Sequence, residues 1–134
     1  MAGSKSDYLE NKILDHVLGG SDYTRPGTVY IALYTVAPTD AGGGTEVTGG
    51  SYARKDVTNN VTNWPAASGG AKSNGTEITF VTATADWGTV VAFAIFDTLT
   101  AGNMLYWATL TQNKLISNGD TAKFAVGDID VTED

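Results

Sequence analysis

Two stretches of this chain constrain its fold more tightly than anything else in it. Residues 89–96 read TVVAFAIF, and residues 28–35 read TVYIALYT. Both have the length of a β-strand and are dominated by β-branched, aromatic and small apolar side chains, which suit a pleated backbone. Successive strand side chains alternate between faces. In residues 28–35 this puts Val29, Ile31 and Leu33 on one side and Tyr30, Ala32 and Tyr34 on the other. Neither side is polar, so the strand must be covered on both, within its own domain or at an interface. Residues 89–96 are apolar on both sides too and fit the centre of a sandwich. Pro26 and Pro38 bracket the first run, as prolines do at strand ends.

The remaining pattern is read around these two runs. Residues 77–81 (EITFV) alternate, and residues 52–58 are a further candidate strand. Residues 104–110 (MLYWATL) follow a turn containing Gly102 and predict the returning strand of a hairpin with 89–96. Leu115-Ile116, a turn at Asn118-Gly119-Asp120 and residues 121–126 predict a second hairpin. Residues 128–132 (DIDVT) predict a terminal edge strand. One helix is expected at 7–18. Leu9, Ile13 and Val17 recur every fourth residue, Leu14 and Leu18 widen the stripe, Asp7 and Glu10 have capping-box spacing, and Gly19-Gly20 end it. A helix this short is marginal alone, so its stripe must pack on the core or on another subunit. Residues 37–51 and 59–75 are long, glycine-containing and irregular. Connections of that length are uncommon inside a compact domain, which suggests loops that become ordered against partners. The sum is a mainly β chain, an antiparallel β-sandwich of about seven or eight strands over residues 28–132 with one N-terminal α-helix and long Gly-rich loops. It reads as a single domain over residues 1–134.

Composition narrows the function. A chain of 134 residues and 14.0 kDa buries roughly two-thirds of its extended surface on folding, enough for one core without disulfides or a metal. The absence of cysteine excludes a disulfide framework, a thiolate zinc site and a cysteine nucleophile. Net charge is −7, and the eight Lys and Arg form no cluster, so no nucleic-acid partner is expected. An acidic surface suits solubility or docking on a basic protein surface. No stretch approaches the length of an apolar membrane helix, and residues 1–6 have no apolar run, so neither a membrane span nor a signal peptide is expected.

Few residues in the chain carry recognisable catalytic chemistry. His16 is the one histidine and belongs to the predicted helix, where a surface role outweighs a catalytic one. There is no nucleophile elbow, and Gly42-Gly43-Gly44 lacks the Lys-Ser/Thr that a phosphate loop requires. Asp86 and Asp97 are the one carboxylate pair to consider for glycoside hydrolysis, but each reads better as a turn or strand-end residue. Asp128, Asp130, Glu133 and Asp134 are oxygen ligands of the type calcium takes, without EF-hand spacing. They read as a solvated tail. No catalytic residue, metal or cofactor is therefore assigned. Asn60-Val61-Thr62 and Asn74-Gly75-Thr76 match the glycosylation pattern and read as chance matches.

Long motifs carry a family resemblance. SDYLENKILDHVLGG, TVYIALYTVAPTDAGGGTEVTGGSYAR, WPAASGGAKSNGTEITF, ATADWGTVVAFAIFD, NMLYWATL and NGDTAKFAVGDIDVTED resemble a group of small tailed-bacteriophage proteins commonly labelled phage tail fibre protein. The resemblance runs from about Ser6 to Asp134. It implies a non-enzymatic virion structural protein, assembled in the host cytoplasm and located in the phage particle. Small size, acidity and the lack of a repetitive shaft point first to a capsid cement or decoration protein, binding between major capsid protein subunits and stabilising the shell. The alternative is a tail fibre or baseplate component contacting the host surface. A small hydrolase is the remaining class. Partners are the major capsid protein or other virion proteins, and a homo-trimer would suit a shell with local threefold positions. The candidate contact residues are Tyr34, Thr45, Tyr52, Arg54 and Trp64. Tyr52 and Trp64 are aromatics at or near the long loops, where interface anchors are found.

Overall fold

In the computed structural model, which describes residues 4–133, the two apolar runs lie side by side. In chain order the strands are β1 (Ser4–Lys5), β2 (Thr28–Val36), β3 (Thr45–Glu46), β4 (Lys55–Thr58), β5 (Ala71–Ser73), β6 (Ile78–Thr79), β7 (Gly88–Phe96), β8 (Met104–Ile116), β9 (Lys123–Phe124) and β10 (Asp130–Thr132). One helix, α1 (Asp7–Val17), follows β1. The chain is mainly β and its strand pairs are antiparallel. The main sheet runs β1-β8-β7-β2, and the free side of β2 is shared by β4 and β3. β4 pairs Thr28 to Ile31, and β3 pairs Tyr34 and Val36.

The two faces of β2 and β7 differ in side-chain size. One face carries Val29, Ile31, Leu33, Phe93 and Ile95, and all are buried. Over it lie Ile78, Phe80, Trp64, Trp87 and Ile129, contributed by two short ribbons, β6–β9 and β5–β10, and their loops. The second layer is thus a pair of two-stranded ribbons rather than one continuous sheet. The other face carries Ala32, Ala92 and Ala94, fully buried, beside Tyr34, Phe96 and Met104. Its shallow surface accepts the chain that leaves β2. Ala37 packs on it, Pro38 is fully buried, and Asp40 accepts bonds from Trp107 Nε1 at 2.8 Å and Ser4 Oγ at 3.0 Å. The two-sided apolarity of residues 28–35 is satisfied within the chain, not at an interface.

Several sequence expectations are corrected. The helix N-cap is Ser6, not Asp7. Ser6 is extended, its Oγ accepts from Leu9 N–H at 3.2 Å, and the hydroxyl also donates to the Met104 carbonyl. Only the start of the apolar stripe packs. Leu9 is buried and Ile13 half-buried, while Leu14, Val17 and Leu18 are 57%, 68% and 73% exposed. The β7–β8 hairpin forms as expected, but β8 runs on to Ile116 past a bulge that skips from Thr109 to Lys114 opposite Ala92 and Val90. The second predicted hairpin does not form. Residues after the Asn118-Gly119 turn pair with β6 (Ile78 opposite Phe124), because Phe124 sets its ring edge-on to Phe80 and Phe93, at 6.3 and 5.9 Å, above the main sheet.

The two long loops are ordered against their own domain. Val47 is buried and donates to Leu33 O at 2.9 Å. Trp87 Nε1 donates to Gly50 O at 2.9 Å, and at Gly50 φ is +56° while a Cβ would come 2.8 Å from that indole nitrogen. Only glycine fits there. In residues 59–75, Trp64 is buried and Gly75 N–H bonds Asn63 O at 2.7 Å. Asn74 locks this region to the C-terminal ribbon. It is 2% exposed, its Nδ2 donates to Thr76 O at 2.8 Å and Ala125 O at 2.9 Å, and its Oδ1 accepts from Ile129 N–H at 2.9 Å. That burial also removes Asn74 from glycosylation chemistry in the folded chain. Truncation would orphan two carbonyls and one amide. Asn74→Ala is expected to cost roughly 2–4 kcal/mol in urea denaturation. Asn60→Ala, whose exposed side chain caps a local turn, should cost less than about 1 kcal/mol.

Candidate functional site

Four of the five contact candidates gather around Glu46 at the β3 edge of the main sheet. Tyr34 and Arg54 lie on the small-residue side, Tyr52 turns its ring toward Phe80 and Trp87 on the large-residue side, and internal bonds hold the Arg54 and Tyr52 side chains. Arg54 is 9% exposed. Its Nε and Nη2 donate to Glu46 Oε2 and Oε1, both at 2.9 Å, and its Nη1 donates to Thr98 O at 3.0 Å and Ala101 O at 2.9 Å. The guanidinium lies 3.7 Å from the centre of the Phe96 ring. Tyr52 donates its hydroxyl proton to Glu46 Oε2 at 2.7 Å and accepts from Leu33 N–H at 3.0 Å. Burial, then the bond to Leu33 in opposition, then Glu46, set the Tyr52 phenol, and the net shift is far upward. Burial works against the charge on Arg54, but the bonded Glu46 carboxylate outweighs it and raises its pKa. Tyr34 is buried beside them, its pKa raised by burial and by Glu46. Thr45, next to Glu46, is exposed. This arrangement clasps β3, β4 and the β7–β8 turn together. Glu46, absent from the sequence-derived set, is its hub.

Trp64, the fifth candidate, lies elsewhere. It is 8% exposed and walls a cleft of about 360 Å³ on the large-residue side. Val29, Ile95 and Leu105 line the cleft from the main sheet, Leu9 and Ile13 from α1, and Val131 from β10. Tyr23, Tyr106, Arg25, Lys72 and Glu133 add polar groups. Arg25 Nη1 donates to Asn59 O at 3.1 Å, and Lys72 Nζ to Trp64 O at 3.4 Å. Glu133 pairs with Lys5 and lies close enough to Tyr106 to act on its phenol. Burial, reinforced by Glu133 and Tyr23, pushes the Tyr106 phenol up to about 12. Burial first, then Tyr8 and Asp97, raise that of Tyr23. Both phenols therefore stay neutral donors throughout the physiological range. The one sequence-level sign of this cleft is cationic, since Arg25 and Lys72 stand apart in a chain with few basic residues.

The catalytic groupings weighed from sequence do not assemble. Asp86 and Asp97 flank β7 at opposite ends, roughly 35 Å apart at about 3.3 Å per residue, far beyond the spacing of paired glycosidase carboxylates. Asp86 accepts from Asn118 N–H at 2.8 Å, and Asp97 from Asn103 N–H and Nδ2 at 2.8 and 2.9 Å. His16 Nδ1 accepts from Tyr23 N–H at 3.0 Å at the exposed end of α1. Of the acidic tail, Asp128 bonds Ala125 N–H and Glu133 is paired with Lys5, while Asp134 lies outside the described residues. Asp7, Glu10 and Asp40 do bring carboxylate oxygens within 4.8 Å of one another, but Asp40 Oδ1 is already bonded to Trp107 and Ser4.

Comparison with known proteins adds one positive finding. A family model described as podophage GP4 fiber I protein gp80 matches residues 4–132, nearly the whole chain. No curated protein matches.

The Glu46–Arg54 clasp makes a direct prediction. Glu46→Ala leaves a largely buried guanidinium without its carboxylate, and thermal or urea unfolding should show a loss of roughly 2–4 kcal/mol. Arg54→Lys should recover only part of the stability lost in Arg54→Ala, because an ammonium cannot form the two-pronged bond or stack on Phe96.

Proposed function

The chain belongs to this podophage fiber protein family, and from that premise we propose that it serves as a non-catalytic component of the tail fibre or baseplate, held by other virion proteins. The family match is the observation that carries the reading. It makes the chain a virion structural protein, and the fibre named in the family description favours the tail over the capsid-cement place that size and acidity suggested. The geometry supports a passive role. Asp86 and Asp97, the carboxylate pair weighed for hydrolysis, are engaged in turns at opposite ends of β7, and the core is closed by the chain's own loops. The surface left for subunit contact includes Leu14, Val17 and Leu18, which extend the apolar stripe of α1 beyond the region packed on the sheet. Thr45 is the one sequence-derived contact candidate with an exposed side chain, and it belongs to the same proposal.

Gold-labelled antibodies against the chain, imaged on intact particles, test the location. Label at the tail is expected. Particles assembled without the chain should adsorb to cells poorly while holding their DNA on heating as well as complete particles do. Label over the head, with early DNA release on heating, would return the protein to the capsid shell.

A further inference from the structure

We propose that the cleft walled by Trp64 is a carbohydrate subsite that takes a carboxylate-bearing sugar unit, such as a uronic acid. The inference rests on the fibre reading for the reason a host sugar would be met, and on the cleft for the chemistry.

The first observation is charge. The chain carries −7 overall, yet two of its few cations, Arg25 and Lys72, line this cleft. Arg25 and Lys72 are exposed at it and form no salt bridge among the described residues, bonding only backbone carbonyls. Among the described residues Glu133 is the one acid in the lining, and it is paired with Lys5. The other groove, along β8 and β9, shows no such excess. Its Lys114 and Lys123 are matched by Asp120 and Asp128 in the same lining. A pair of exposed cations with no salt-bridge partner among the described residues attracts an anion.

The second observation is the lining itself. Val29, Ile95 and Leu105 present an apolar floor, and the half-buried Tyr23 and Tyr106 present aromatic carbon with a hydroxyl each. A sugar ring has an apolar C–H face and a rim of hydroxyls, which suits apolar carbon bordered by neutral phenols and a carboxylate. A volume of about 360 Å³ lies at the small end of ligand pockets, the scale of one or two sugar rings rather than of a folded partner. A ring carboxylate would then meet Arg25, which can offer a two-pronged donor pair, and Lys72.

The test uses the full chain in solution, followed by amide NMR shifts of Tyr23, Ala71 and Tyr106. The probes are tri-galacturonate, a neutral galactose trisaccharide, N-acetylneuraminate and a tetra-glutamate peptide. Tri-galacturonate or N-acetylneuraminate should shift these amides, and the neutral trisaccharide should bind at least roughly tenfold more weakly, about 1.4 kcal/mol. Binding should weaken as salt rises. Arg25→Ala and Lys72→Ala together should remove the preference for the acidic sugar without changing the melting temperature, since both side chains are exposed. Tyr23→Ala should weaken acidic and neutral sugars alike. The proposal is overturned if neither acidic sugar binds, if the neutral trisaccharide binds as well, or if the peptide shifts the same amides equally. Tail labelling with no sugar binding defeats this inference alone. Head labelling with sugar binding defeats the fibre reading and leaves the subsite standing.

Discussion

The structure depends on β7 being covered on both faces by side chains of unlike size. Phe93 and Ile95 face one way, and Ala92 and Ala94 the other, all with almost no exposed surface. The register with β2 sets Ile31 opposite Ile95 and Ala32 opposite Ala94, so bulky residues share one face and alanines the other. A slip of one residue would exchange the faces along the whole strand. The bulky face needs a thick cover and receives two ribbons and the neighbouring loops, with the aromatic rings of Tyr52, Trp64, Phe80, Trp87 and Phe124 among them. The alanine face leaves room only for a thin cover and receives the chain at Ala37 and Pro38.

That asymmetry explains what could be read from the sequence. The strands at 28–36 and 88–96 were legible because their apolar character is continuous and local, and the β7–β8 hairpin because its strands are adjacent in the chain. The helix was legible from its period of about four residues. Its cap was misread by one position, since Ser6 is fixed as much by the distant Met104 carbonyl as by its own turn. The 121–126 pairing was misread because the decision is made by Phe124 meeting Phe80 and Phe93, contacts far apart in sequence. The loops at 37–51 and 59–75 looked unstructured for the same reason. Their order comes from Asp40 reaching Trp107 and Asn74 reaching Ala125 and Ile129, which no local pattern announces.

Hydrogen bonding also decides which polar residues are free to meet a partner. Arg54 and Tyr52 are conspicuous in sequence as a cation and an aromatic near a glycine-rich loop, but Glu46 binds both inward. A fully bonded group has little left for a partner. The groups with spare capacity are the quieter ones, Arg25 and Lys72 at the cleft and the exposed end of the α1 stripe. A virion structural protein built this way would meet other molecules through surfaces that folding leaves open, while its buried polar groups hold the frame.

The central claim is that the chain closes its own core before any partner arrives. Native-state hydrogen exchange on the isolated protein tests it most directly. The account predicts that amides of Ala92 to Ile95 exchange only through global unfolding, and that the loop amides of Val47, Trp64 and Gly75 are slowed at least roughly a hundredfold relative to an unfolded chain. Loop amides exchanging at unfolded rates while β7 stays protected would contradict it, and would mean that the loops wait for another subunit to order them.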